Sequence, residues 1–274
     1  MKKILVPTDF SKCAGSAMKY AMDMAVETGA EIISLHLVSP YEGVDVDGSG
    51  LLWIKEYQEA KAKALVSWVK KYHRMQAYKN VKITPVCNIG FTVTEIAERA
   101  KEENVDLIIM GTTGASGVDG MLFGSIAGGV IAVAKTPVML IPQNAKFSKT
   151  LPFGMASDFK IDCGKESILL LREVLSLHGQ SSMKVVHVLT ESDSKPNDKQ
   201  EKEIVAKLKG IDISFHYLHD KHVANAIDNF IEASGVKFLC AISHKHSYIY
   251  KIFHGSIAKK LAFHVQTPLL VLFD

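Results

Sequence analysis

The sequence predicts an α/β protein made of two doubly wound, five-stranded parallel-sheet domains in tandem, each with strand order 3-2-1-4-5. Three observations predict it. The chain has 274 residues, about twice the length of a typical domain. Its second half repeats landmarks of its first. Within each copy, short apolar runs alternate with stretches of helical period.

The repeat is clearest near the end of each copy. FGSIAGGVIAVAKTPVMLIP (123–142) returns as HGSIAKKLAFHVQTPLLVLF (254–273). Gly124-Ser125 matches Gly255-Ser256 and Thr136-Pro137 matches Thr267-Pro268, both displaced by 131 positions (255 − 124, 267 − 136). Asp9 in PTDF pairs with Asp158 in ASDF, and His36 in SLHLV pairs with His187 in VVHVL, at offsets of 149 and 151. The offset falls by 20 (151 − 131), so the second copy has lost material in its middle. Landmarks that keep their order mark a duplicated unit. The domains are expected over 1–145 and 150–274, with the polar segment Gln143–Lys149 between the two sheets.

In the first copy Ile4-Leu5-Val6 is a buried-strand run. Ser11 stands where an N-cap belongs. Ala14, Ala17, Met18, Ala21, Met24 and Ala25 follow at helical spacing up to Gly29, a C′ glycine. Ile32 to Val38 is the second strand. After a Gly/Asp-rich loop, Ile54, Tyr57, Ala64, Leu65, Trp68 and Tyr72 mark one face of a long helix. The third strand, Val81–Cys87, contains Pro85; proline cannot donate to a ladder, so this strand belongs at a sheet edge. Thr92 and Glu95 read as a capping box opening the third helix. Val105–Met110 is the fourth strand; then come a glycine-rich loop, a helix from Gly124, and the last strand, Val138–Ile141. The second copy repeats the pattern with strands near Leu151–Met155, Lys184–Leu189, Ile211–Tyr217, Phe238–Ile242 and Leu269–Phe273, and a shortened second helix at Asp198–Leu208. Alternating β and α elements demand right-handed crossovers and helices on both faces.

Ligands of such sheets bind beyond the carboxyl ends of the strands, where the strand order reverses. In the first copy that point lies between the strands ending at Pro7 and at Met110. Pro7-Thr8-Asp9 meets there the segment Met110 to Ser125, which carries five glycines at 111, 114, 117, 120 and 124. Glycines allow left-handed turns and close approach of backbone to a ligand. Gly124-Ser125 opens a helix whose free N–H groups and positive dipole end favour a phosphate, and the Ser125 hydroxyl can either cap that helix or donate to a phosphate oxygen. Plain strand-to-helix turns also use glycine; it is the position at the switch point that favours a site.

Gly111-x2-Gly114-x9-Gly124-Ser125 resembles the nucleotide-binding signature of the universal stress protein family, in its ATP-binding branch. The opening ILVPTDFS, the second strand SLHLV and the closing TPVMLIP resemble further landmarks of that family, and with the second copy the likeness covers nearly the whole chain. It implies that Asp9, with the backbone around Thr8 and Leu37, holds adenine and ribose. Gly111, Gly114, Gly124 and Ser125 would then hold ribose and phosphates, with Pro7 and Met110 beside them. It implies ATP, or ADP or AMP, with Mg²⁺ on the phosphates as an option. It also implies pairing of final strands, here Val138–Ile141 against Leu269–Phe273 within one chain, and leaves room for a homodimer and for an unidentified protein partner.

One departure bears on chemistry. Relatives commonly carry Lys, Arg or His near the start of the loop, whereas no Lys or Arg occurs from 111 to 125. Phosphoryl transfer needs a cation on the moving phosphate, so nucleotide holding is expected over turnover. Asp119, the loop's one ionisable residue, reads as a solvated turn aspartate. In the second copy Ile242 stands opposite Gly111 and Lys245 opposite Gly114, so the cradle is degenerate there. The histidines His244, His246 and His254 either ligate zinc, form an anion pocket, or are exposed loop residues, the last being the plainer reading. His216, His219 and His222 pose the same question with no recognised zinc spacing, and His36 and His187 read as satisfied core histidines.

Composition narrows the rest. A net charge of +3 with no basic run argues against nucleic acid. No apolar stretch of about 18 residues is present, and the opening MKKILVPTDF has too short an apolar run for a signal peptide. Four scattered cysteines fit a reducing compartment, so a cytoplasmic protein is expected. Gly164-Lys165 is not a P-loop, and no GxGxxG or GxSxG is present. The leading expectation is a stress-response regulator or sensor with adenine nucleotide in the first domain and the second as its pseudo-dimer partner. The alternatives are a slow Mg²⁺-dependent ATPase using Asp9 and Ser125, a nucleotide-free interaction module, and a metal or anion site in the second domain.

Overall fold

The computed structural model describes residues 1–42, 50–114, 124–159, 164–190, 196–243 and 267–273. In the first half β1 (Lys3–Pro7), α1 (Lys12–Thr28), β2 (Glu31–Val38), α2 (Gly50–His73), β3 (Ile83–Ile89), α3 (Thr92–Glu102), β4 (Leu107–Gly111), α4 (Ser125–Val133) and β5 (Val138–Ile141) alternate as expected. The second half contributes β6 (Phe153–Ala156), α5 (Lys165–Leu177), β7 (Ser182–Leu189), α6 (Asp198–Lys207), β8 (Asp212–His219), α7 (Val223–Ser234), β9 (Phe238–Ser243) and β10 (Leu269–Phe273).

The strands form one ten-stranded sheet, ordered β3-β2-β1-β4-β5-β10-β9-β6-β7-β8. Each half has the order 3-2-1-4-5, and every pairing within a half is parallel. The halves meet where β10 runs antiparallel to β5, with Leu270 opposite Met139. The central strands are apolar on both faces because both faces are covered. Ile4 and Val6 enter one core layer with α1 and α5, whereas Leu5 enters the other with α3, α4 and α7. Pro85 lies on the edge strand β3, opposite Ser34 of β2.

Local signals mostly act where the sequence places them. Ser11 caps α1, its hydroxyl accepting from the Ala14 N–H, and Gly29 ends the helix at φ 73°. Two expectations are corrected. Phe91, not Thr92, takes the N-cap of α3, with φ −79° and ψ 113°, so Thr92 falls inside the first turn and no side-chain cap forms. The capping box that does form belongs to α6, between Asn197 and Gln200. On α2 the inward face runs through Leu65, Val69 and Tyr72, while Tyr57 is 40% exposed. The latter stands at the rim of a cavity rather than in the core.

The duplication persists in the backbone. Phe10 and Phe159 both adopt left-handed φ, at 65° and 63°. Each N–H donates to the hydroxyl two residues earlier, Thr8 and Ser157, at 3.0 Å. His36 and His187 then donate from Nδ1 to the carbonyls of Thr8 and Ser157, at 2.8 and 2.7 Å. A bulky residue at positive φ is strained by about 1–2 kcal/mol, and this repeated set of bonds holds it. His36 is only half satisfied: its Nε2 is buried with no partner among the described residues.

The seam between the halves carries a polar node in an apolar setting. His178, at the end of α5, is fully buried among Tyr20, Phe147, Phe153 and Phe238. Its Nδ1 faces the Ser148 carbonyl, which can only accept. The proton therefore sits on Nδ1, and Nε2 accepts from the Tyr20 hydroxyl at 3.0 Å. The Tyr20 bond needs the Nε2 lone pair and so a neutral ring, whereas the Ser148 bond is made by either form. Burial pushes the ring's pKa below the ordinary 6.5, against a smaller opposing pull from the Ser148 carbonyl. The unfolded chain therefore takes up this proton first. The node's contribution is complete above pH 6.5 and declines as pH falls through the range beneath it. Urea unfolding midpoints should drop from about pH 8 to about pH 5, and drop less in His178→Gln.

Candidate functional site

A cavity of about 630 Å³ opens beyond the carboxyl ends of β1, β2 and β4, at the point where the strand order reverses. All nine residues singled out for nucleotide line it: Pro7, Thr8 and Asp9 after β1, Leu37 in β2, Met110, Gly111 and Gly114 around the end of β4, and Gly124 with Ser125 at the start of α4. A doubly wound sheet brings them together because β1 and β4 are neighbours in space, Ile4 pairing with Leu107.

The turn after β1 aims Asp9. Its Oδ1 accepts from the Ser11 N–H at 3.0 Å, so the carboxylate is held at the helix entry. Oδ2 lies where a Cβ on Gly114 would come within 2.9 Å. At Gly111 a Cβ would meet the Cys13 sulfur at 2.8 Å and its carbonyl carbon at 3.1 Å. These two glycines therefore serve close approach, Gly111 to α1 and Gly114 to Asp9. Left-handed glycines occur elsewhere, at Gly29, Gly179, Gly210 and Gly235, and none of the described loop glycines is among them. Of the two uses glycine has in such a loop, left-handed turning and close approach, Gly111 and Gly114 show the second.

The loop is closed at its base by the Gly124 N–H, which donates to the Thr112 carbonyl at 2.7 Å. Gly124 is the N-cap of α4 and offers no side chain, so Ser125 stands at the first helical position and no side-chain cap is made. The amides of Ser125, Ile126 and Ala127 have no acceptor within the helix, and all three residues face the cavity. An uncapped helix N-terminus with its dipole is an anion-binding end.

Sequence reasoning missed the opposite wall. Tyr57 and Lys61, one turn apart on α2, line the cavity, as do Glu42, Thr92 and Ile96. Lys61 is the one cationic side chain of the described lining. Its signal was available as a Tyr-Lys pair at i, i+4 flanking the buried stripe of α2, but nothing local ties that pair to the glycine loop.

The histidine readings fare differently. His244, His246 and His254, with Lys245, Asp119 and Gly255-Ser256, lie outside the described residues. His216 pairs with Ser214, Oγ to Nε2 at 3.1 Å, and packs on Phe230; His222 stands at the N-cap of α7. Among the described residues no three His, Cys, Asp or Glu side chains gather to hold a metal. Cys13 and Cys87 form no disulfide among the described residues, and burial pushes the Cys87 thiol up against a weaker lowering by Lys61. No helix of the described residues is long and apolar enough to cross a membrane.

Known proteins agree with this architecture. Residues 1–142 match the model of the Universal stress protein family. The universal stress protein MJ0531 of Methanocaldococcus jannaschii is 37% identical over 147 residues, which cover 53% of this chain and 84% of that protein. The universal stress protein MJ0577 of the same organism is 29% identical over 156 residues, covering 52% of this chain and 95% of that protein. A universal stress protein from Archaeoglobus fulgidus, of known crystal structure, superposes with a TM-score of 0.70 at 23% identity, covering 99% of this chain and 96% of that one; at that identity the likeness is one of fold. With the switch-point cavity in its first half and the family's model matched across that half, the chain belongs to the universal stress protein family.

Proposed function

We propose that the chain is a stress-response regulator or sensor that holds an adenine nucleotide in a first domain, residues 1–145. A second domain, residues 150–274, serves as the covalently attached partner of the first. One observation carries the reading: Asp9, the close-approach glycines Gly111 and Gly114, and the uncapped amides of α4 converge on a single cavity. The amides and the helix dipole suit the phosphates. Thr8, Asp9 and Leu37 suit the ribose and base. A Mg²⁺ accompanying the phosphates would find the Asp9 carboxylate within the same lining.

Holding is favoured over hydrolysis. No Lys or Arg lies in 111–125 to stabilise a moving phosphoryl group. Titration calorimetry with ATP, ADP and AMP in the presence of Mg²⁺ tests the reading. Saturable binding near one site per chain is expected. A second site would assign a ligand to the second half, and folded protein that takes no nucleotide would overturn the proposal.

A further inference from the structure

We propose that Lys61 is a ligand-binding residue for the nucleoside moiety and takes no part in holding the phosphates. This rests on the reading that the cavity takes an adenine nucleotide. Lys61 belongs to α2, which packs on β3 and β2. Its charge acts on the Cys87 thiol of β3, and Cys87 stands opposite His36 of β2. The uncapped amides lie at the other end, on the helix that follows β4. From β2 and β3, on which α2 packs, to β4 there are two to three strand intervals, about 10–14 Å at the usual spacing. A lysine side chain anchored on α2 does not bridge that distance, whereas a nucleotide lying with its phosphates at α4 reaches back along the cavity toward Leu37, Tyr57 and Ile96.

The ammonium is also uncommitted. Among the described residues no carboxylate lies within ion-pair distance of Lys61, and the contact it does make is with the Tyr57 ring, 5.0 Å from the centroid. Contact with a ring face leaves N–H donors to spare. A half-buried cation beside an aromatic ring, lining the same cavity, is placed to donate to the acceptor nitrogens of a purine. The missing loop cation and the presence of Lys61 are therefore separate facts: Lys61 does not replace the basic residue absent from 111–125.

The test is binding of adenosine, AMP and ATP to the native chain, to Lys61→Met, which keeps the stem, and to Lys61→Arg, which keeps the charge. Melting temperatures of the three proteins confirm that each is folded. Lys61→Met should weaken all three ligands by the same factor, about tenfold, the scale of one charge-assisted hydrogen bond. Lys61→Arg should recover most of it. A loss that grows from adenosine to ATP would put Lys61 on the phosphates and overturn the proposal; so would unchanged affinity in Lys61→Met. A native chain that binds none of the three would remove the nucleotide reading itself, a result distinct from either.

Discussion

Replacing His178 with alanine is expected to lower the free energy of unfolding by about 3–5 kcal/mol. Three losses combine. The ring vacates a space enclosed by Tyr20, Phe147, Phe153 and Phe238, whose own positions are fixed by the sheet and the seam. The buried Tyr20 hydroxyl loses its acceptor and the half-buried Ser148 carbonyl its donor, and at the first of these water is not a ready replacement. His178→Phe separates the terms: it refills most of the volume but leaves both polar groups unpaired, so a smaller loss of about 1–3 kcal/mol is expected. Tyr20→Phe should cost about 1 kcal/mol, since the vacated Nε2 is the single orphan. Denaturant midpoints of the three variants give the comparison. A cost below about 1 kcal/mol for the alanine variant would mean that the seam collapses into the vacated space.

The second large effect is on ligand binding. Gly114→Val should weaken adenine nucleotide affinity by about a hundredfold or more while leaving the melting temperature close to that of the native chain. A Cβ at that position would stand 2.9 Å from Asp9 Oδ2, closer than such contacts occur. Asp9 is held through Oδ1 by the Ser11 N–H, so the added Cβ would push its carboxylate off the position it presents to the cavity while the Ser11 hydroxyl still caps α1. The branched side chain would also occupy the cavity itself. Gly124→Ala is the contrasting variant: its nearest protein atoms lie at 3.5 Å, ordinary contact, so Asp9 stays uncrowded and the loss of affinity should be the smaller of the two. Calorimetric titration of the two variants side by side measures the difference, and equal losses would show that crowding of Asp9 is not the cause.

Much of this molecule was legible from its residues. Strands buried on both faces announce themselves as unbroken apolar runs, and Pro85 alone sent the third strand to the edge, which in turn located the switch point. The residues after β1 and β4 were legible because those loops must meet at that point, whereas Leu37 of β2 came from the resemblance to the family alone. What escaped was set by contacts between distant segments. The helical stripe of α1 was read as Ala14, Ala17, Met18, Ala21, Met24 and Ala25, yet Tyr20 and Met22 are also buried. The second half covers a flank of α1 that an isolated domain would leave in water. His178 carries no local signal, for a histidine at the end of a helix reads as a solvated C-terminal residue. Thr92 failed as a cap because the chain turns into α3 one residue early, a choice of backbone dihedral that the Thr-x-x-Glu spacing does not encode.

The antiparallel meeting of β5 and β10 has a consequence for how this sheet behaves at low abundance. Because both strands belong to one polypeptide, each sees its mate at a fixed effective concentration set by the tether, however few molecules are present. Dilution cannot separate them, as it would two half-length chains joined by the same ladder. Stoichiometry is likewise locked: every first half is born with one second half, and the pairing edge is occupied before another copy is met.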